Sequence, residues 1–188
     1  MSVPVFDYMK GGREITRILG IDPGLTATGY GVIEVEGSRH SVVESGTIRS
    51  GKGDIGVRLR RINDGILDVV GRCGPEAAAV EDIFLHKNAR SALKLGQARG
   101  AAILAAAAAG LPVFEYTALQ VKQAVVGYGQ AEKSQVQKML PSLMKMTEKP
   151  SSADAADALA IAYCHSGHAA TAKARGCAVP AGAAGRRR

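Results

Sequence analysis

A chain of 188 residues with 46 % apolar side chains can bury one sizeable core and has no room for two large lobes. Its formal net charge is +7, and from residue 166 onward Lys173, Arg175, Arg186, Arg187 and Arg188 supply five of those charges without an acid, so the body is only mildly basic. Cys73, Cys164 and Cys177 form no C-x-x-C pair, which argues against a disulfide framework or zinc site. The longest apolar run, 101–111, is well short of the roughly 18 residues of a membrane span, so a cytoplasmic protein is expected.

Residues 1–16 lack an apolar signal core and read as a flexible extension, with order beginning near Arg17. Residues 17–22 form a short buried strand, and 28–36 and 41–49 follow as two more around a turn at Gly37-Ser38. Asp54 caps a helix to about Gly71, with Ile55, Leu59, Ile62, Ile66, Val69 and Val70 on one stripe. Residues 77–81 are short and wholly apolar before Glu81, the pattern of a strand buried on both faces.

A loop over 82–87 precedes a helix capped by Asn88 and stopped by Gly110. Its small residues Ala92, Gly96, Gly100 and Ala101 would admit close approach of the strand layer or of a second subunit. A fifth strand spans 112–116, and Thr117 caps a short helix to Val126. Gly127-Tyr128-Gly129 breaks the chain before a basic helix over 131–146, which Pro141 should kink or split. Ser151 or Ser152 caps a last helix to about His165, and 169–188 reads as a disordered basic tail. The order predicts an α/β fold, a five-stranded mixed sheet flanked by helices, in a domain over 17–168.

Four acids stand where apolar neighbours call for apolar residues: Asp22, Glu81, Asp154 and Asp157. Asp22 ends a strand ahead of Pro23-Gly24, and it is either an Asx-turn acid or a site acid. The later Gly29 and Gly31 would let a backbone or a phosphate come close. Glu81 and Asp82 point to opposite faces, so only one can join Asp22. Asp154 and Asp157 lie one turn apart on one helix face, where acids also complement the helix dipole. Carboxylates gathered in this way repel unless a cation offsets them, and the oxygen-seeking Mg²⁺ or Mn²⁺ suits them. Lys122, Lys133 and Lys138 follow the fifth strand. Phe84, within Ile83-Phe84-Leu85-His86-Lys87-Asn88, is either a loop anchor or an exposed wedge for stacking on bases.

Several segments resemble the RuvC family of bacterial Holliday-junction resolvases. They are Gly20-Ile21-Asp22-Pro23-Gly24 with Thr28-Gly29-Tyr30-Gly31, then Val80-Glu81-Asp82-Ile83-Phe84 and Lys87-Asn88-Ala89-Arg90-Ser91-Ala92-Leu93-Lys94-Leu95-Gly96-Gln97-Ala98-Arg99-Gly100. Val121-Lys122-Gln123, Ala131-Glu132-Lys133-Ser134-Gln135 and Ala153-Asp154-Ala155-Ala156-Asp157-Ala158-Leu159-Ala160 complete the series in the same order. The resemblance implies an RNase H-like fold, a homodimer, and Mg²⁺-dependent paired nicks across four-way junction DNA in recombination and repair. It places the metal-binding, catalytic acids on Asp22, Glu81, Asp154 and Asp157, with two ions per site and Mn²⁺ as a substitute. DNA contacts fall on Lys122 and Lys133, and the junction-inserting aromatic falls on Phe84. A branch-migration helicase complex of the RuvA and RuvB type is the implied partner. An actin-like ATPase or sugar kinase would need two lobes, and a non-catalytic junction scaffold would not keep four acids.

Overall fold

The computed structural model describes residues 9–10, 13–82 and 89–176. Among the described residues there are six strands: β1 (Met9–Lys10), β2 (Arg13–Asp22), β3 (Ala27–Glu36), β4 (Arg39–Arg49), β5 (Ala77–Asp82) and β6 (Val113–Thr117). Five of them make a mixed sheet in the order β4-β3-β2-β5-β6, and β1 pairs only with the start of β2. Strand order therefore begins at Arg13, four residues before the expected Arg17, because β3 pairs Glu36 with Ile15 and β1 pairs Lys10 with Arg13. The two hairpins make β2, β3 and β4 antiparallel, whereas β5 and β6 run parallel to β2. Ala77, Ala78, Ala79 and Val80 are all buried, as a central parallel strand requires.

One face carries α1 (Ile55–Cys73) and α2 (Ala89–Ala108). The other carries α5 (Ala153–Ala174), flanked by α3 (Ala118–Val126) and α4 (Lys133–Leu143). The expected caps form: Asp54 accepts from the Val57 N–H at 2.9 Å, Thr117 and Gln120 make a capping box, and Ser152 accepts from the Ala155 N–H at 3.0 Å. Asn88, the expected cap of α2, lies outside the described residues.

Three helices depart from expectation. The stripe of α1 buries Ile62, Ile66, Val69 and Cys73, while Ile55 at its first turn stays exposed. Pro141 lies within α4 and does not split it: the helix starts at Lys133 and ends two residues after the proline, at Leu143, inside the expected 131–146. The proline supplies no N–H to the carbonyl of Gln137 and the helix ends within a turn of it, after which Lys145 turns the chain at φ 48°. The last helix runs nine residues beyond His165, to Ala174. Apolar periodicity fades there, but Ala169, Ala170, Ala172 and Ala174 carry strong intrinsic helix preference, and Lys173 suits a C-terminal turn.

Three glycines decide how α5 lies on the sheet. A Cβ on Gly20 would fall 2.7 Å from the Ala162 nitrogen and closer still to the Ala158 carbonyl. One on Gly31 would meet Leu159 at 2.7 Å, and one on Gly29 would collide with the backbone of Asp154. Gly20 pairs with Gly31 across β2 and β3, and Gly29 pairs with Asp22. The helix axis therefore rests on bare backbone, with the turn holding Asp154 directly over the partner of Asp22.

Candidate active site

The carboxyl ends of β2, β5 and β6 share one rim of the sheet with the start of β3 and the end of β4, as the pairing of Ala27 with Arg49 shows. Open α/β sheets place ligands at such a rim. Asp22 and Glu81 each stand one residue beyond the paired Ile21 and Val80. Alternation sends Ile18, Gly20 and Asp22 toward α5 with Ala79 and Glu81, and it sends Asp82 to the opposite face. Of the two acids ending β5, Glu81 is thus the one that joins Asp22. Asp82 instead faces Arg99 of α2 at 3.8 Å.

Gly29 and Gly31 admit the backbone of α5, not an external phosphate, and in doing so they bring Asp154 and Asp157 to the rim. Ser152 fixes the start of that helix by bonding Thr47 of β4 at 2.7 Å while capping Ala155. The four acids then feel one another. Burial first, and the charges of Asp157 and Glu81 next, push the Asp22 carboxyl up to about 7. Glu81 is raised by burial and by Asp157. Asp157 is raised too, because burial outweighs its ion pair with Lys133.

Lys133 opens α4 and sets its ammonium on Asp157, with Gln137 one turn on bonding the same carboxylate. Burial disfavours the Lys133 charge, yet the bond to Asp157 prevails and lifts it above the ordinary lysine value. Lys122 lies with Lys133, Glu81, Val121 and Asp157 around a cavity of about 240 Å³. Lys138 is exposed and does not line that cavity. Phe84 lies outside the described residues.

The donors suit a hard divalent cation: oxygen only, negatively charged, and buried enough that one lysine does not relieve Asp22. Among the described residues no three His, Cys, Asp or Glu side chains are drawn to metal-ligating distance of each other, and Lys133 occupies Asp157 as a cation would. His165 is no ligand. It is buried, stacks on Phe114 at 4.3 Å, bonds the Tyr116 hydroxyl at 2.8 Å, and burial pushes it down to about 4. Cys164 is likewise core.

Arg99 is the functional neighbour that sequence reading passed over. Its Nε donates to the Glu81 carbonyl at 3.1 Å while its fork pairs with Glu115, so it fixes the end of β5 from the far face. An arginine in an alanine-rich helix was the available signal. The small residues of α2 also resolve: Ala98, Ala102 and Ala105 meet the sheet, whereas a Cβ on Gly96 or Gly100 would meet nothing described. Leu93 and Leu104 share that outward face at 68 % and 64 % exposure.

The family model for crossover junction endodeoxyribonuclease RuvC matches residues 18–165. The crossover junction endodeoxyribonuclease RuvC of Geobacter metallireducens is 56 % identical over 154 residues, covering 81 % of this chain and 93 % of its own. That of Pelobacter propionicus is 58 % identical over 150 residues, covering 79 % and 85 %. The solved structure of Thermus thermophilus RuvC with a Holliday junction substrate superposes with a TM-score of 0.79 at 37 % identity, over 83 % of this chain and 96 % of that one. The architecture is the RNase H-like fold of that structure.

Proposed function

The chain belongs to the RuvC family of endodeoxyribonucleases, and we propose that it resolves four-way (Holliday) DNA junctions by paired, symmetric nicks in recombination and repair. The observation that carries the reading is the gathering of Asp22, Glu81, Asp154 and Asp157 on the ligand rim, where partial burial and mutual repulsion raise the Asp22 carboxyl to about 7. Such a cluster is costly for a fold and serves a purpose once a cation binds.

Asp22, Glu81, Asp154 and Asp157 would hold two divalent ions, Mg²⁺ or Mn²⁺. When bound, these would supply activation of a water for attack on phosphorus and stabilisation of the leaving 3′ oxygen. The chain's own groups hold the substrate. Lys122 and Lys133 share one cavity wall and are placed to take phosphate oxygens, which fixes position without reading sequence. Arg99 keeps the backbone of Glu81 in register from below. We assign Phe84 to stacking in the opened junction, so Phe84→Ala should weaken four-way junction binding by about 1–3 kcal/mol and leave linear duplex binding alone. The nuclease unit is taken as 17–168, acting in the cytoplasm with a RuvA- and RuvB-type branch-migration complex.

Two symmetric cuts need two sites. A homodimer supplies them, and the outward stripe of Leu93, Gly96, Gly100 and Leu104 on α2 is an apolar face of the right kind. The experiment is cleavage of a four-way junction labelled on opposed strands, beside linear duplex and an RNA–DNA hybrid, with and without Mg²⁺. Metal-dependent nicks on both strands of the junction alone are expected. Cleavage of the hybrid in preference would overturn the reading in favour of a ribonuclease.

A further inference from the structure

The positive charge of the chain is concentrated in two places. Segment 49–61 carries Arg49, Lys52, Arg58, Arg60 and Arg61 against one acid, Asp54, and the stretch from residue 166 carries five cations and no acid. Set against the total of +7, everything else is slightly acidic, at −2. The first of these concentrations lies on the catalytic rim, because Arg49 ends β4 and pairs with Ala27 at the start of β3. It also lies on the side of Asp22 away from Lys122 and Lys133.

The corner is built, and its charges are left uncancelled. Ser50 is fully buried and donates to the Leu25 carbonyl. Arg58 donates to the same carbonyl at 3.0 Å, to the Ser50 hydroxyl at 3.1 Å and to the Thr26 hydroxyl at 3.3 Å. Arg61 donates to the carbonyls of Ser50 and Lys52, both at 2.7 Å, around a loop that Gly51 and Gly53 turn at positive φ. Carbonyl and hydroxyl oxygens orient a guanidinium without neutralising it. The carboxylate of Asp54 caps α1 through the Val57 N–H, and among the described residues only the exposed Arg60 of this segment has an acid partner, Asp64. Arg49, Lys52 and Arg61 are exposed.

Resting on the nuclease reading above, we propose that this β4–α1 corner is a second phosphate-binding site, gripping the DNA backbone on the opposite side of the scissile phosphate from Lys122 and Lys133. In the sheet register Thr47 stands two strands from Asp22 and Arg49 two residues further along β4, so Arg49 is roughly 12 Å from Asp22 at ordinary strand spacing and rise. That is about the roughly 12 Å width of a major groove, so a duplex with one phosphate at Asp22 can set another backbone phosphate at the corner. Arg58 clamps the turn after Asp22 through Leu25 and Thr26, so the corner and the acid share one scaffold.

The test is binding of the full chain to a fluorescent four-way junction in EDTA over a salt series, comparing wild type, Lys122→Ala and the double variant Arg49→Gln with Lys52→Gln. Removing two phosphate contacts should flatten the slope of log affinity against log salt by about 1.8, and Lys122→Ala should flatten it by about 0.9. An unchanged slope and affinity in the double variant overturns the proposal. Should that variant also melt lower, the charge-keeping swap Arg49→Lys with Lys52→Arg decides: a wild-type slope supports the site, and a flattened one overturns it. Wild type that binds linear duplex as well as the junction and makes no nicks in Mg²⁺ would instead sink the resolvase reading, a separate outcome.

Discussion

On the face covered by α1 and α2, the strands present Leu19, Ile21, Val32 and Val80, which interdigitate with Ile62, Ile66 and Val69. On the face covered by α5 the same strands present Gly20, Gly29 and Gly31, and helix backbone lies against strand backbone. The first face is held by buried side-chain volume and gives ordinary core stability. The second has a side-chain core of its own around Ile18, Ile33 and Leu159, but at Gly20, Gly29 and Gly31 it forgoes that volume to bring two helical acids within electrostatic reach of two strand acids. The candidate site sits at the glycine-lined contact, where few side chains stand between the layers, and that contact and the side-chain-packed face should therefore fail differently.

The largest effect should come from the acid at the centre of the close-packed face. Asp22→Asn is expected to lower junction nicking by at least roughly 10³-fold, on the scale of removing a group that stabilises a transition state, while junction binding persists. Without metal the variant should melt no lower than wild type at pH 8, since a repelling charge has gone. Substantial nicking by the variant in Mg²⁺ would remove Asp22 from the chemistry.

A matched pair of core changes separates the faces. Ile66→Ala, on the side-chain-packed face, should cost about 2–5 kcal/mol by denaturant melt and leave nicking per folded molecule unchanged. Gly29→Ala should cost about 1–3 kcal/mol by overpacking, yet drop nicking by roughly 10–100-fold as Asp154 is pushed off the rim. Equal activity loss from both would erase the distinction.

Acidity sharpens it further. The folded-state value of Asp22 is raised from 3.8 to about 7, so between those values the folded chain binds a proton that the unfolded chain has released. Metal-free stability should therefore fall as pH rises from about 4 to 7 and level off above, by on the order of 2 kcal/mol. Saturating Mg²⁺ should flatten that slope, and Asp22→Asn should remove most of it. A metal-free stability that rises over this window would contradict the cluster.

The smallest effect belongs to the brace between the faces. Arg99→Lys keeps the charge but loses the fork joining Glu115 and the Glu81 carbonyl, and about 1 kcal/mol of stability should go with it. Weaker Mn²⁺ binding by calorimetry, beyond that seen for an equally destabilised variant of Ile66, would mark Arg99 as a positioning residue for Glu81.

The sequence by itself determined the strand and helix order, the caps at Asp54, Thr117 and Ser152, and the four acids set among apolar residues. These follow from local rules, since hydrophobic period, cap chemistry and charge placement act over a few neighbouring residues. Strand alternation by itself left Glu81 or Asp82 open, Gly29 and Gly31 as space for a phosphate or a backbone, and Lys133 as one lysine among three, and only the family resemblance pointed to Glu81 and to Lys133 with Lys122. The physical reason came from the tertiary structure. Strand pairing chose which face each residue looks toward, and the approach of α5 consumed the space left by the glycines. Packing of α4 brought Lys133 to Asp157, and Arg99 reached the Glu81 carbonyl from 18 residues away. Each choice rests on contacts between distant segments, which no window along the chain contains.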